Sequence, residues 1–316
     1  MGYHPRIEAP SVTNFVTTRS LNSRLWFINN ENLERTILSN TAKCAQRYGV
    51  KLYALAIEGN HMQGPIQFPH GNRASFMRDL NSSVARAVPR NTEHPGGRFW
   101  GRRYSNEFLP GFEDIEKYFF YTVLQPVQDG LVERISDYPG YNCFHDAAWG
   151  IKRKFKVVRW GAYHAAKRWN PELSIEAFTE TVYLQYERLP GYEALSRKEY
   201  AHLMMKKLEA RRVEIVAERI EKGLGFAGSE NLKRTKPGAA PRSTKSSSIT
   251  SHRPRILCAC PKRRAEAKAW YFSIHFAYKE SSKAYRAGHR DVVFPSGTYP
   301  PHLPCDEHGA EIANFF

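Results

Sequence analysis

The sequence predicts an α+β fold: an antiparallel split βαβ sheet with helices on one face, followed by a basic, mainly helical C-terminal extension. Three observations predict it. Segments of strand and helix period follow one another as strand, helix, strand, strand, helix, strand, helix over the first 145 residues. Two of those strands are joined by a short turn, as an antiparallel hairpin requires. From about residue 146 the chain turns strongly basic and its apolar residues take helical spacing.

Val12 to Thr18 alternates and is rich in β-branched residues, the pattern of a strand. Leu33, Ile37, Leu38, Thr41, Ala45 and Tyr48 share one face of a helix over Asn32 to Tyr48, and Gly49 stops it. Lys51 to Ile57 reads as a second strand, Glu58-Gly59-Asn60 as its turn, and His61 to Phe68 as a third strand closed by Pro69. Phe76, Met77, Leu80, Val84 and Val88 mark a helix over Arg73 to Val88. Pro89, Pro95, Gly96 and Gly97 mark the loop that follows, and Arg103 to Leu109 is a short strand. Gly111 to Leu124 is a helix whose acidic first turn suits the helix dipole, and Pro126 limits its continuation.

Behind residue 145 the sequence predicts a basic helical extension over 146–222, with helices at Ser174 to Arg188 and Ser196 to Lys222. A flexible basic linker is expected over 223–254, rich in Gly, Ser, Pro and Lys. Residues 255–316 are expected to hold a helix from Pro261 to Gly288 and a tail punctuated by proline and glycine.

Composition narrows the function classes. The chain has 316 residues, 47 Lys+Arg against 31 Asp+Glu, and a formal net charge of +16. Aromatic residues at 13% supply enough apolar surface to exclude a wholly disordered chain. Five scattered cysteines exclude a disulfide scaffold. No uncharged apolar run of about 18 residues is present, so no membrane partner is expected. The first residues lack an apolar signal core, which leads to an expectation of a cytoplasmic, nucleoid-associated protein. Residues 1–145 carry 16 Lys+Arg against 13 Asp+Glu, whereas 146–316 carry 31 against 18. Such an excess points to a polyanionic partner, nucleic acid first.

Two pairs of residues bear chemistry. His61 and Gln63 flank Met62 on a strand, so alternation puts both on one face. An imidazole nitrogen and a carboxamide oxygen there can share a divalent metal, although such a pair is ordinarily only polar surface. Tyr121 and Gln125 stand four apart on a helix and so share a face. A helix packed on the sheet would bring Gln125 to His61 and Gln63 as a third ligand. Tyr121 would then sit one turn away, beside a metal-polarised phosphodiester.

The segment Tyr53-Ala-Leu-Ala-Ile-Glu-Gly-Asn-His-Met-Gln63 resembles the strand-turn-strand of single-tyrosine HUH transposases. Arg98-Phe-Trp-Gly-Arg-Arg-Tyr104, Tyr121-Thr-Val-Leu-Gln-Pro-Val-Gln-Asp-Gly-Leu-Val132 and Tyr138-Pro-Gly-Tyr141 follow in that family's order. The likeness is greatest to REP-associated tyrosine transposases and covers roughly residues 6–145. It implies a ferredoxin-like HUH endonuclease fold acting on single-stranded DNA at hairpins. It also implies Tyr121 as nucleophile, a 5′-phosphotyrosine intermediate, strand transfer, and Mg²⁺ or Mn²⁺ held by His61, Gln63 and Gln125. Two departures stand out. Gln63 occupies the place of the second motif histidine, as in certain viral replication initiators, and Gln125 stands where REP-associated members usually have Asn. The first departure keeps an alternative in view: a domesticated hairpin-binding protein that no longer cleaves.

DNA contacts are expected from Arg102 and Arg103, which lead into a strand near the site. Further contacts are expected from Lys152, Arg153, Lys154, Lys156 and Arg159, which are interleaved with Phe155, Trp160 and Tyr163. The resemblance fits a monomer or a homodimer.

Overall fold

The computed structural model describes residues 5–241 and 256–301. The elements of the first part are β1 (Thr13–Arg19), α1 (Glu31–Tyr48), β2 (Lys51–Leu52), β3 (Ala56–Glu58), β4 (His61–Gln67), α2 (Arg73–Asn91), β5 (Ser105–Leu109), α3 (Phe112–Val123) and the single turn α4 (Gln125–Gln128). The strands form one antiparallel sheet in the order β2-β4-β1-β5, with β3 also paired to β4. The α+β class expected from the sequence is the class observed.

Local chemistry sets the element ends. The Asn30 side chain accepts the Leu33 N–H at the start of α1, and Gly49 closes that helix in the left-handed conformation at φ 58°. The strand expected over 51–57 is divided. Leu52 pairs with Ile66 but Ala56 pairs with Gln63, so one extra residue is absorbed between them as a bulge. Pro65 has no N–H to offer the facing strand, and Leu55 N–H turns instead to Cys143 Sγ at 3.3 Å. Gly64 lets the bulge pass, because a Cβ there would lie 2.1 Å from the Ala54 carbonyl oxygen.

Strand alternation separates two faces. Phe15, Thr17, Arg19, His61 and Gln63 fall on one face by register, and Asn14, Val16, Met62 and Ile66 on the other. Helices α1 and α2 pack together, and α2 starts over the second face, where Arg73 donates to Asn14 Oδ1 at 2.8 Å. Helix α3 lies on the first face, with Tyr118 and Tyr121 against Phe15. The expectation of helices on one face therefore describes α1 and α2, while the helix carrying Tyr121 covers the opposite side.

The extension comprises α5 (Phe144–Trp149), β6 (Arg153–Val158), α6 (Trp160–Lys167), β7 (Thr179–Leu184), α7 (Arg197–Glu221), α8 (Ser229–Arg234) and α9 (Pro261–Arg286). It is mainly helical, but the helix expected over 174–188 is absent. Ile175–Phe178 form a short 3-10 turn, and β7 pairs antiparallel with β6. Val182, Leu184 and Tyr186 are buried at alternate positions, which is strand period. The boundary expected at residue 145 runs through α5, whose Phe144, Ala147 and Ala148 share one core with Phe119, Tyr186, Tyr200 and Met204. Part of the expected linker is tied down: Ala227 N–H donates to Gly130 O and Ala239 bridges to Leu25. Its remainder, 242–254, and the tail from 302 lie outside the described residues. A second apolar cluster joins α9 to β5 through Phe108, Ile256, Trp270 and Tyr271. No helix among the described residues is long and apolar enough to cross a membrane.

Candidate DNA-processing site

The turn Gly59-Asn60 joins β3 to β4 and puts Glu58 directly opposite His61, while β1 puts Arg19 opposite His61 on its other side. Asn60 Nδ2 donates to Ser23 O at 3.0 Å, which turns Asn60 Oδ1 toward His61 Nδ1 at 2.8 Å. That oxygen can only accept, so Nδ1 carries the proton and Nε2 keeps its lone pair. Burial, reinforced by the Arg19 guanidinium, lowers the imidazole pKa to about 3. His61 is therefore neutral at physiological pH, the form that ligates metal.

Two carboxamides bridge the sheet to the tyrosine helix. Gln63 Nε2 donates to Gln125 Oε1 at 2.6 Å, and Gln125 Nε2 donates to Asp129 Oδ2 at 3.1 Å. The Asp129 carboxylate accepts only, so it fixes the Gln125 amide with its oxygen toward Gln63. Tyr121 and Gln125 do not share one continuous helix, contrary to expectation, because α3 ends at Val123 and Gln125 opens α4. Their side chains still lie near enough for the Gln125 amide to favour the ionised Tyr121 phenol. Burial and the Asp129 charge push that phenol above its ordinary value, although Tyr121 remains 37% exposed. A phenol so placed needs a base or a cation to become a nucleophile.

His61, Gln63 and Gln125 are each more than nine-tenths buried. They bring an imidazole and two carboxamides, donor types that suit a small divalent cation, into one patch, where Gln125 Oε1 accepts from Gln63 Nε2 and would have to exchange that bond for a cation. Glu58 strengthens the fit: it is equally buried, and its Oε1 has no hydrogen-bond partner.

The expected DNA contacts separate into two places. Arg102 and Arg103 are exposed and, with Arg6, Arg78, Arg98 and Trp100, line a groove of about 590 Å³ beside α2. One wall of this groove is joined to the site: Gly101 N–H donates to Arg19 O at 3.0 Å. Lys152, Lys154, Lys156 and Arg159 are exposed on or beside β6, which packs with β7 on α1, away from the Tyr121 face. Arg153 is engaged within the protein. Its guanidinium pairs with buried Asp146 and lies over the Tyr141 ring at 5.1 Å.

No family model and no curated protein matches this sequence. Among solved structures, the chain is similar to a REP-associated tyrosine transposase bound to a REP hairpin. The identity is 20%, over 46% of this chain and 84% of that one, with a TM-score of 0.39.

Three members of the site were not singled out in the sequence. Glu58 was legible by register, because a two-residue turn places it opposite His61. Asp129 stands four residues after Gln125, the spacing of one helical turn. Arg19 carried no local signal, since only the β1–β4 pairing brings it to His61.

Proposed function

We propose that this chain is a single-tyrosine transposase that cuts and rejoins single-stranded DNA at hairpin elements. The hydrogen bond that ties Gln63 on the sheet to Gln125, one turn beyond Tyr121, carries this reading. It supports the reading by bringing a phenol, an imidazole and two carboxamides from distant segments into one patch. In the proposed reaction the Tyr121 hydroxyl gives up its proton to solvent as its oxygen attacks a phosphodiester phosphorus, forming a Tyr–O–P bond to the 5′ side. The bond to the leaving 3′ oxygen breaks, and that oxygen takes up a proton to become a free 3′-OH. Rejoining reverses these steps with a different 3′-OH. His61, Gln63 and Gln125 would hold Mg²⁺ or Mn²⁺, which when bound supplies Lewis-acid polarisation of the phosphate. Arg19 sits where it can offset phosphate charge, and the arginine groove would hold the flanking strand.

A second reading, hairpin binding without cleavage, is favoured by one observation: Gln63 stands where the resembled family has histidine and donates its amide to Gln125. Incubation with a hairpin-bearing single strand and Mg²⁺ or Mn²⁺, resolved on a denaturing gel, separates the two. A covalent adduct that is absent in Tyr121→Phe is expected. Salt-sensitive binding without any adduct would overturn cleavage in favour of the binding protein.

A further inference from the structure

A cation held only by His61, Gln63 and Gln125 would receive no negative charge from its ligands while facing the Arg19 guanidinium. Hard divalent cations are ordinarily bound through at least one carboxylate. Glu58 stands opposite His61 on the same sheet face, is 4% exposed, and leaves Oε1 without a partner. Its charge is felt at the Tyr121 hydroxyl, and Asp129 and Arg19 are the charged groups that act on it. Burying a carboxylate without hydrogen bonds costs stability, and among the charged groups acting on Glu58, Arg19 alone offsets that cost. Asp129 is less suited to the role, because its Oδ2 is committed to orienting Gln125.

We propose that Glu58 is the anionic ligand of the divalent-cation site, completing the set formed by His61, Gln63 and Gln125. The assignment rests on the metal-dependent reading above and names the donor that this reading lacks. It also accounts for Gln63: a site supplied with a carboxylate from the neighbouring strand tolerates a carboxamide in place of a second imidazole.

Mn²⁺ titration of the whole protein, followed by the free-ion EPR signal in the absence of DNA, tests this. Wild type, Glu58→Gln and His61→Ala are compared, with thermal unfolding of each in EDTA. Glu58→Gln is expected to weaken Mn²⁺ binding at least tenfold while unfolding in EDTA no earlier than wild type. If Glu58→Gln does not fold, Glu58→Ala takes its place in the titration. Unchanged Mn²⁺ affinity in the Glu58 variant alongside lost binding in His61→Ala overturns the assignment and leaves the metal site standing. Early unfolding of the Glu58 variant in EDTA with unchanged affinity assigns the residue to structure and likewise overturns it. Absence of Mn²⁺ binding by wild type overturns the metal-dependent reading itself.

Discussion

His61 and Glu58 face one another across β3 and β4 with opposite preferences. Burial keeps the imidazole uncharged down to pH about 3 and raises the carboxyl well above its ordinary range. These preferences give stability terms of opposite sign. The unfolded histidine takes up a proton below about pH 6.5 and the folded one does not, so His61 costs stability as pH falls from 6.5 toward 3. The cost is about 1.4 kcal/mol for each pH unit inside that window. Glu58 favours the folded state fully below its unfolded value near 4.5, and that stability is lost as pH rises. The difference between wild type and His61→Gln isolates the histidine: in EDTA, the variant should gain on wild type as pH drops from 6.5 to 4.5 by urea unfolding. Equal losses in both proteins would show that His61 titrates normally. His61, Gln63, Tyr121 and Gln125 were legible in the sequence because periodicity puts each pair on one face. Arg19 was not, because strand register is decided by which faces are buried.

At the scale of elements, the helix that frames the arginine groove depends on a residue far away in sequence. Glu8 accepts the Arg73 and Ala74 N–H groups at 3.2 and 3.1 Å, capping α2 from outside the helix. The same carboxylate lies 3.6 Å from the Arg73 guanidinium, whose side chain is fully buried. Burial pulls the Glu8 carboxyl up and Arg73 opposes this. Glu8→Ala would leave a buried cation and two helix donors unpaired, with an expected loss of about 3–5 kcal/mol. Glu8→Gln, which keeps an acceptor, should lose less. Equal chemical-denaturation midpoints for the two variants would show that the retained acceptor contributes nothing and that the loss is one of charge. The sequence indicated α2 from its apolar face, but no local pattern at its start announced a cap from residue 8. The misread segment 174–188 has a related cause. Its buried positions alternate only because β6 is there to pair with, and Glu176, Glu180, Glu187 and Arg188 around them give the segment the look of an amphipathic helix.

Over the whole molecule, the proposed DNA binding should respond to salt through the number of phosphates its cations neutralise. For single strands the logarithm of the affinity falls with the logarithm of salt by roughly 0.7 for each phosphate neutralised. Removing Arg102 and Arg103 together should lower that slope by about 1.4, as read by fluorescence anisotropy across a salt series. An unaltered slope would place the strand elsewhere on the protein's positive surface, of which the exposed lysines of β6 are one part. The extension also has a mechanical part in the site. Lys207 and Arg211 of α7 each reach Glu116 of α3 at 2.8 Å, and Arg211 covers the Phe120 ring at 3.9 Å. The helix that carries Tyr121 is thus clamped by α7 of the extension. By itself the sequence determined the α+β class, the order of the first elements, the basic character behind residue 145 and the pairs His61–Gln63 and Tyr121–Gln125. All of these follow from local period and composition. Only the tertiary structure decided that α3 covers the opposite face from α1 and α2, and that Arg19, Glu58 and Asp129 join the site. It also decided that the extension contains a two-stranded antiparallel sheet of β6 and β7. These depend on register and on burial against distant segments, whose free energy has no local signature.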